Sequence, residues 1–244
     1  MTNFMFITNL ASKLAADDYT GFTFFVGCMA MMAASAFFFL SLNQFDKKWR
    51  TSVLVSGLIT FIAAVHYFYM KEYWGEFQES PTFFRYVDWV LTVPLMCVEF
   101  YLILKVAGAK TDLLWKMIGY SVVMLVTGYL GETICSDQAA LWGALSGAAY
   151  FLIVYEIWFG SAAKLAAAAG GDVLASHKIL CWFVLVGWAI YPLGYMMGTT
   201  GWYNGIVPSG SVDVAYNIAD AINKIGFGLV IYSLAVKSSG PANA

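Results

Sequence analysis

A lysine and an aspartate stand near the middle of a long apolar stretch close to the carboxyl end of the chain. Asp220 and Lys224 lie within residues 212–236, which are long enough to cross a bilayer as a helix. A charge at that depth costs about 2.5 to 3.5 kcal/mol on insertion scales, and Lys224 lies too far from either end to reach the interface. The two residues are one helical turn apart and could simply neutralise each other. A buried lysine can also act as a free amine that condenses with an aldehyde, because burial disfavours its charged form.

A second set of polar residues lies along one face of another apolar stretch, residues 83–107. On a helix, Arg85, Asp88 and Thr92 share a face. Glu99 returns to within about 20° of Asp88, about 16 Å further along the axis. The stripe could be an inert polar network that holds helices together. Such a network needs no acid three turns away from its partners, so the pattern favours a functional line of acids.

The composition of the chain indicates the class of protein that positions these residues. The 244 residues are 61% hydrophobic and only 11% charged, whereas about a quarter of the residues of a soluble domain are charged. The net charge of -2 and the lack of a basic cluster exclude nucleic acid as a partner. The four cysteines have neither disulfide-framework nor metal-site spacing and are expected to be packing residues. The chain is therefore predicted to be an all-α membrane protein embedded in the lipid bilayer.

Seven apolar stretches are long enough to span a membrane, which predicts a seven-transmembrane-helix bundle. Their predicted bounds are 21–42, 51–70, 83–107, 113–134, 140–159, 179–198 and 212–236. The chain divides into an amino-terminal segment of residues 1–20, a helical domain of residues 21–237 and a tail of residues 238–244. The alanine- and glycine-rich run 162–171 is expected to be a flexible linker between spans five and six.

The positions of the charged residues predict the orientation, because cationic loops stay on the cytoplasmic side. One side of the bundle carries Lys47, Lys48, Arg50, Lys105, Lys110, Lys116, Lys164, Lys178 and Lys237. The opposite loops carry Glu72, Glu76, Glu79, Asp137 and Asp213 against Lys71. The amino terminus is therefore expected outside and the carboxyl terminus in the cytoplasm. In that orientation Asp88 and Asp220 lie on the extracellular side of Lys224, and Glu99 lies nearest the cytoplasm.

His66, in span two, is a further titratable side chain at membrane depth. A lone buried histidine is more often a hydrogen-bonded core residue than a functional one. A histidine bonded to a carboxylate can also hold it in place and couple the two titrations. A role beside Asp88 is therefore the alternative.

Several motifs of the chain resemble those of microbial rhodopsins. They are RYVDWVLTVP at 85–94, WAIYP at 188–192 and DAINKIGFGL at 220–229. The combination of an aspartate, a threonine and a glutamate in span three with a histidine in span two is similar to proteorhodopsins and their xanthorhodopsin-like relatives. The resemblance extends over all seven spans. It implies all-trans-retinal bound through a Schiff base to Lys224, and it implies a chromophore wall that includes Trp89, Trp142, Trp188, Tyr191 and Pro192.

The same resemblance implies a light-driven outward proton pump and gives the acids their roles. Asp88, accompanied by Thr92, would be counterion and proton acceptor, and Arg85 would offset the repulsion between Asp88 and Asp220. Glu99, desolvated by apolar neighbours, would stay protonated at rest and return a proton from the cytoplasmic side. The protein would be an ion transporter rather than an enzyme. It would be a multi-pass protein of the bacterial inner membrane and a homo-oligomer, either a pentamer or a hexamer.

Two further positions bear on light absorption. In proteorhodopsins the position matching Met96 tunes the colour, and an apolar residue there goes with green absorption, so a green-absorbing pigment is expected. Gly143, next to Trp142, resembles the xanthorhodopsin-like glycine that leaves a window for a carotenoid antenna. We favour a packing role for Gly143, because Gly147 follows at the four-residue spacing typical of close helix contacts.

Three other functions fit parts of the pattern. A photosensory rhodopsin signalling to a partner is the main alternative, but such sensors commonly lack a carboxyl at the position of Glu99. Chloride and sodium pumps of the same family carry neutral or amide residues in the acceptor pattern. A seven-helix receptor or transporter without pigment would explain the hydrophobicity but not a lysine that faces two acids.

Overall fold

The computed structural model describes residues 14–15, 17–199, 206 and 210–239 and contains seven helical spans long and apolar enough to cross a membrane. The described residues include no strand. The predicted all-α, seven-span fold is therefore confirmed. Most of the predicted segment 1–20 and of the tail 238–244 lies outside the described residues, so the division of the chain into three parts stays a prediction.

The helices begin and end close to the predicted bounds in most spans. They are Tyr19–Ser41, Lys47–Phe77, Thr82–Leu104, Thr111–Tyr129, Ala139–Trp158, Gly171–Trp182 with Ile190–Gly198, and Ser211–Ser238. Span two and span six are longer than predicted, because their helices continue into polar residues that hydropathy does not count. The side chain of Asp18 caps span one by accepting a hydrogen bond from the Gly21 N–H at 2.7 Å. Span three ends before Gly108, whose φ of 84° suits a residue without a Cβ.

The prediction of a flexible linker at residues 162–171 is wrong over most of its length. A helix occupies Ser161–Ala169. The Glu156 carboxylate fixes its start by accepting hydrogen bonds from the backbone N–H groups of Ser161 at 2.8 Å and Ala162 at 3.2 Å. Alanine has the highest helix propensity of all residues, so a run of alanines forms a helix once its first turn is capped. We call this element the linker helix.

Within the described part of the chain, two spans contain a turn of π-helix. One is Leu130–Ile134 in span four, and the other is Phe183–Gly187 in span six. The carbonyl of Gly187, in the π-helical turn of span six, accepts a hydrogen bond from the side-chain amide of Asn223 in span seven at 3.0 Å. A Cβ at position 187 would overlap the Asn223 side chain, so the close approach of span seven requires glycine there. Pro192 follows in the first turn of Ile190–Gly198.

The spans form a ring whose largely apolar interior contains a set of buried charged side chains. Each span packs against its neighbour in the chain, and span seven closes the ring by packing against spans one, two and six. Large apolar side chains remain exposed on the outside of every span, as expected for surfaces that face lipid. The buried charged side chains within the spans include Arg85, Asp88, Glu99, Asp220 and Lys224. The ring therefore brings the polar residues of span three to those of span seven.

Candidate functional site

A cavity of about 720 Å³ lies inside the ring and is lined by residues of spans three, four, five, six and seven. Its walls are mostly apolar and aromatic, and its polar lining includes Asp220, Asn223 and Lys224. Binding sites for organic ligands have this character, with volumes of about 300 to 1,000 Å³. Of the residues predicted to contact a chromophore, the lining includes Trp89, Met96, Gly143, Trp188, Tyr191, Pro192 and Lys224.

Lys224 directs its amine at two carboxylates from different spans. Its Nζ lies 2.5 Å from Asp88 Oδ2 and 3.2 Å from Asp220 Oδ2. The three residues are at most 3% exposed. The pairing of Asp220 with Lys224 follows from their four-residue spacing, but the nearer partner is Asp88 of span three. Burial places all three groups where electrostatic interactions are stronger than in water.

The two carboxylates differ in how many donors hold them. Asp220 accepts hydrogen bonds from the hydroxyl of Tyr191 at 2.6 Å, the hydroxyl of Tyr67 at 2.8 Å and the Trp89 indole N–H at 3.2 Å. Asp88 Oδ2 has Lys224 as its partner, and Asp88 Oδ1 has no hydrogen-bond partner among the described residues. Fixed donors stabilise the charge of Asp220. The charge of Asp88 depends on Lys224, so Asp88 is the carboxylate better placed to take up a proton.

Arg85 has a direct partner that was not anticipated. Its guanidinium lies 2.8 Å from Asp213 Oδ1 and donates to Asn217 Oδ1 at 3.2 Å. Asp213, which was counted with the extracellular loops although the predicted span 212–236 includes it, lies buried in the helix of span seven, which begins at Ser211. The hydrogen bonds and ion pair of the Arg85 side chain go to Asp213 and Asn217 rather than to Asp220. The sequence spacing could have indicated that Asp213 faces the interior, since residues 213 and 220 are seven apart and lie on one face of a helix.

Glu99 lies apart from this cluster, further along span three. It is fully buried, and its Oε1 is hydrogen-bonded to the hydroxyl of Ser56 in span two. Its Oε2 has no hydrogen-bond partner among the described residues. Ser56 was not predicted as a site residue, although the repeat of Ser52, Ser56 and Thr60 at four-residue spacing indicates a polar stripe on span two.

His66 and Thr92 lie close to Asp88 without bonding to its carboxylate. His66 Nδ1 is 2.8 Å from the carbonyl of Ile62, so Nδ1 carries the proton in the neutral ring and Nε2 is free to accept. His66 is half-buried. The Thr92 hydroxyl donates to the backbone carbonyl of Asp88 at 2.9 Å. The predicted role of His66 beside Asp88 therefore stays a prediction.

Span five contributes Gly143 to the cavity but not Trp142. A Cβ at position 143 would lie 2.6 Å from Cε1 of Tyr195, so this glycine lets the ring of Tyr195 approach span five. A Cβ at position 147 would meet nothing within 4 Å. Trp142, the preceding residue, packs its Cβ against Gly131 of span four and is not among the residues that line the cavity, so its contact with a chromophore stays a prediction.

Comparisons with known proteins agree with this arrangement. A family model described as bacteriorhodopsin-like protein matches residues 18–238. The chain is 42% identical to the green-light absorbing proteorhodopsin of Gamma-proteobacterium EBAC31A08 over 94% of this chain and 91% of that protein. It is 39% identical to the blue-light absorbing proteorhodopsin of Gamma-proteobacterium Hot 75m4, with the same coverage of both chains. The crystal structure of xanthorhodopsin superposes with a TM-score of 0.80 at 29% identity, covering 93% of this chain and 96% of that one.

These matches extend over the whole seven-span ring and include the segments that carry Lys224 and the two carboxylates. They confirm the resemblance that the sequence motifs indicated. The family implies a retinal chromophore, and the bacterial relatives together with the seven spans indicate a multi-pass bacterial membrane protein. The chain therefore belongs to the bacteriorhodopsin-like family of microbial rhodopsins, alongside the proteorhodopsins.

Proposed function

We propose that this protein is a light-driven pump that moves protons outward across the bacterial inner membrane. The observation that carries the proposal is the unequal bonding of the two carboxylates at Lys224 Nζ. Asp220 is held by three fixed donors, whereas Asp88 keeps one oxygen unbonded within the described protein. The proteorhodopsin relatives and xanthorhodopsin, a light-driven ion pump, support the same activity.

The residues of the cavity fit retinal. Lys224 supplies a buried primary amine at the cavity wall, and the lining is apolar and aromatic over most of its extent. A long polyene is bound mainly by burial of apolar surface. When joined to Lys224 Nζ through its aldehyde carbon, retinal supplies the absorption of visible light and a light-driven change of shape at that nitrogen.

The positions of the acids then set the direction of transport. Asp88 takes the proton from the Lys224 nitrogen through Oδ2, at 2.5 Å. Asp220 stays anionic, because Tyr67, Trp89 and Tyr191 donate to it. Glu99 gives a proton to the same nitrogen from the far end of span three. With the amino terminus outside, Asp88 then releases its proton to the exterior and Glu99 takes one up from the cytoplasm, so each cycle carries one proton outward.

The presence of Glu99 favours a pump over a photosensor. A sensor needs no internal donor, whereas Glu99 is fully buried and held in place by Ser56. Addition of all-trans-retinal to membranes that contain the colourless protein tests the first step of the proposal. We expect a visible absorption band that bleaches and recovers after a flash. A protein that stays colourless with added retinal would contradict the proposed function.

Replacement of Glu99 tests the donor role. The Glu99→Gln protein should keep its colour and its early proton transfer to Asp88, since Glu99 makes no contact with Lys224. Return of the proton to the Lys224 nitrogen should slow by about 100-fold or more, as is usual when a general acid is removed. Flash spectroscopy at alkaline pH, where external protons are scarce, measures this step.

A small permeant acid serves as the control for that experiment. Azide, as hydrazoic acid, can deliver protons to the Lys224 nitrogen in place of Glu99. It should restore fast reprotonation in Glu99→Gln and leave the wild-type photocycle almost unchanged. An unchanged late photocycle in Glu99→Gln at alkaline pH would exclude Glu99 as the donor.

Met96 supports a green-absorbing pigment. It is 2% exposed and lines the cavity two turns beyond Asp88. Its thioether places no amide dipole against the polyene. The wild type should absorb green light at neutral pH, Met96→Gln should absorb at shorter wavelength, and Met96→Leu should stay green. A blue-absorbing wild type, or a Met96→Gln protein with an unchanged spectrum, would refute this assignment.

Two roles are proposed for Gly143, packing against Tyr195 and a window for a carotenoid. A pair of alanine variants tests the packing role. If it packs against Tyr195, Gly143→Ala forces the ring aside and should destabilise the pigment by about 1 to 3 kcal/mol. Gly119→Ala in span four is the control, because its Cβ has open space and Gly119 lies outside the cavity lining. We expect thermal bleaching of the pigment to accelerate in Gly143→Ala only.

The other proposed role of Gly143 is a window for a carotenoid antenna, and xanthorhodopsin is a light-driven ion pump with a dual chromophore. Because Tyr195 already lies against Gly143, we expect no blue band in the action spectrum of pumping after incubation with hydroxylated carotenoids. A new blue band that Gly143→Phe eliminates would overturn the packing role and establish the window.

The assembly is proposed to be a pentamer or hexamer. Native mass spectrometry of the purified pigment would give the number of subunits.

A further inference from the structure

A second depression, of about 420 Å³, lies on the face of the bundle that carries the lysine-rich loops. It is formed by the start of span four and by the linker helix. Its lining includes three lysines, one aspartate and two leucines: Lys110, Lys116, Lys164, Asp112, Leu113 and Leu165. We call it the lysine pocket. It shares no residue with the retinal cavity.

The charges of the lysine pocket do not cancel. Lys116 is neutralised by Glu156, whose Oε2 lies 2.9 Å from its Nζ, and the other oxygen of Glu156 is occupied by the start of the linker helix. Lys110 and Lys164 are exposed and form no ion pair with any described carboxylate. The one acid of the lining, Asp112, lies in the first turn of span four, where the helix N-terminus stabilises its charge. The pocket therefore keeps an excess of positive charge.

The surroundings of the lysine pocket place it at the level of lipid headgroups. Trp115, one turn from the start of span four, is 67% exposed, and Phe159, just beyond the end of span five, is 68% exposed. Exposed aromatic side chains at the ends of spans are typical of the membrane interface. Leu113 and Leu165 add an apolar surface to the pocket. An anion with an apolar portion matches this combination better than a free inorganic anion does.

We propose that the lysine pocket binds the headgroup of an anionic phospholipid. The phosphodiester lies between Lys110 and Lys164, and the glycerol and upper acyl chain lie against Leu113 and Leu165. Basic pockets at the ends of transmembrane helices recognise anionic headgroups in this way. This binding site is separate from the proton path and stands whether or not the proposed pump activity does.

Lipid retention by the purified protein tests the proposal. The protein is stripped of lipid in detergent and incubated with phosphatidylglycerol or with zwitterionic phosphatidylcholine, and retained lipid is counted by native mass spectrometry. The wild type should retain phosphatidylglycerol preferentially. Lys110→Gln combined with Lys164→Gln should weaken retention by about tenfold. The matched control, Lys47→Gln with Lys48→Gln, removes the same charge at the start of span two and should retain phosphatidylglycerol like the wild type.

A variant that is expected to increase lipid retention provides a second test. Asp112→Asn removes the negative charge from the pocket and should strengthen retention of phosphatidylglycerol. Size-exclusion profiles and circular dichroism establish that each variant is folded. Equal retention of the two lipids by the wild type, or equal losses in the pocket and control variants, would overturn the proposal. Inorganic phosphate that raises the melting temperature of the wild type, without any preferential retention of phosphatidylglycerol, would assign the pocket to a soluble anion and overturn it as well.

Discussion

The Lys224→Ala protein should remain colourless when all-trans-retinal is added, because alanine has no amine to condense with the aldehyde. Every other residue of the cavity is retained in this variant. Its two carboxylates, however, lose the cation that lies 2.5 Å from Asp88 and 3.2 Å from Asp220. Removal of one partner of a buried ion pair costs about 3 to 5 kcal/mol. A colourless alanine variant could therefore reflect loss of folding as well as loss of the amine.

Lys224→Arg separates these two causes. The guanidinium keeps a cation beside the carboxylates but does not condense with an aldehyde. We expect this variant to be folded by circular dichroism and still colourless with retinal. Lys71→Ala is the matched control, because it removes another buried lysine at a position outside the cavity lining, and it should form pigment. A visible band in either Lys224 variant would exclude Lys224 as the attachment site.

The Asp88→Asn protein should be coloured, shifted to the red and unable to pump. Asparagine occupies the same volume, and Asp220 keeps its three donors and its place 3.2 Å from Lys224 Nζ. Pigment can therefore still form. Loss of one negative charge beside the nitrogen favours the more delocalised excited state, which moves absorption to longer wavelength. Without a carboxylate to take the proton, pumping should fall at least about 100-fold.

The absorption spectrum and light-induced acidification of the same preparation check this expectation together. The red shift reports that Asp88 lies beside the chromophore nitrogen, and the loss of pumping reports that it takes the proton. An Asp88→Asn protein that still acidifies the medium in the light would rule out Asp88 as the acceptor.

The sequence predicts the components of the site that lie on one helix. Asp220 and Lys224 are four apart in span seven, and Asp88 and Glu99 return to one face of span three, so helical geometry alone relates them. The structure adds contacts between spans that periodicity does not determine. Tyr67 donates to Asp220, whereas the sequence predicted a role for the neighbouring His66 because its side chain is titratable. Neighbouring residues point about 100° apart, and only packing decides which of them faces the interior.

Other differences between the predicted and the observed structure also arise from contacts that helical periodicity does not determine. Ser56 is an ordinary small residue in an apolar span until span three brings Glu99 against it. Asp213 was counted among the loop charges although it lies inside the predicted span 212–236, and the structure buries it in that helix against Arg85 of span three. Residues 161–169 form a helix because Glu156 caps them, which composition alone does not reveal. In each case the deciding partner comes from a distant part of the chain or from beyond the segment itself.

Illumination of intact cells that contain the protein and retinal, in unbuffered medium, tests the central claim most directly. The account predicts that the medium becomes more acidic in the light, returns in the dark, and shows no light response once a protonophore makes the membrane permeable to protons. Acidification would establish both the transported ion and the outward direction that the orientation of the acids implies. Alkalinisation of the medium, a light response enhanced by the protonophore, or no response from a coloured protein would contradict it.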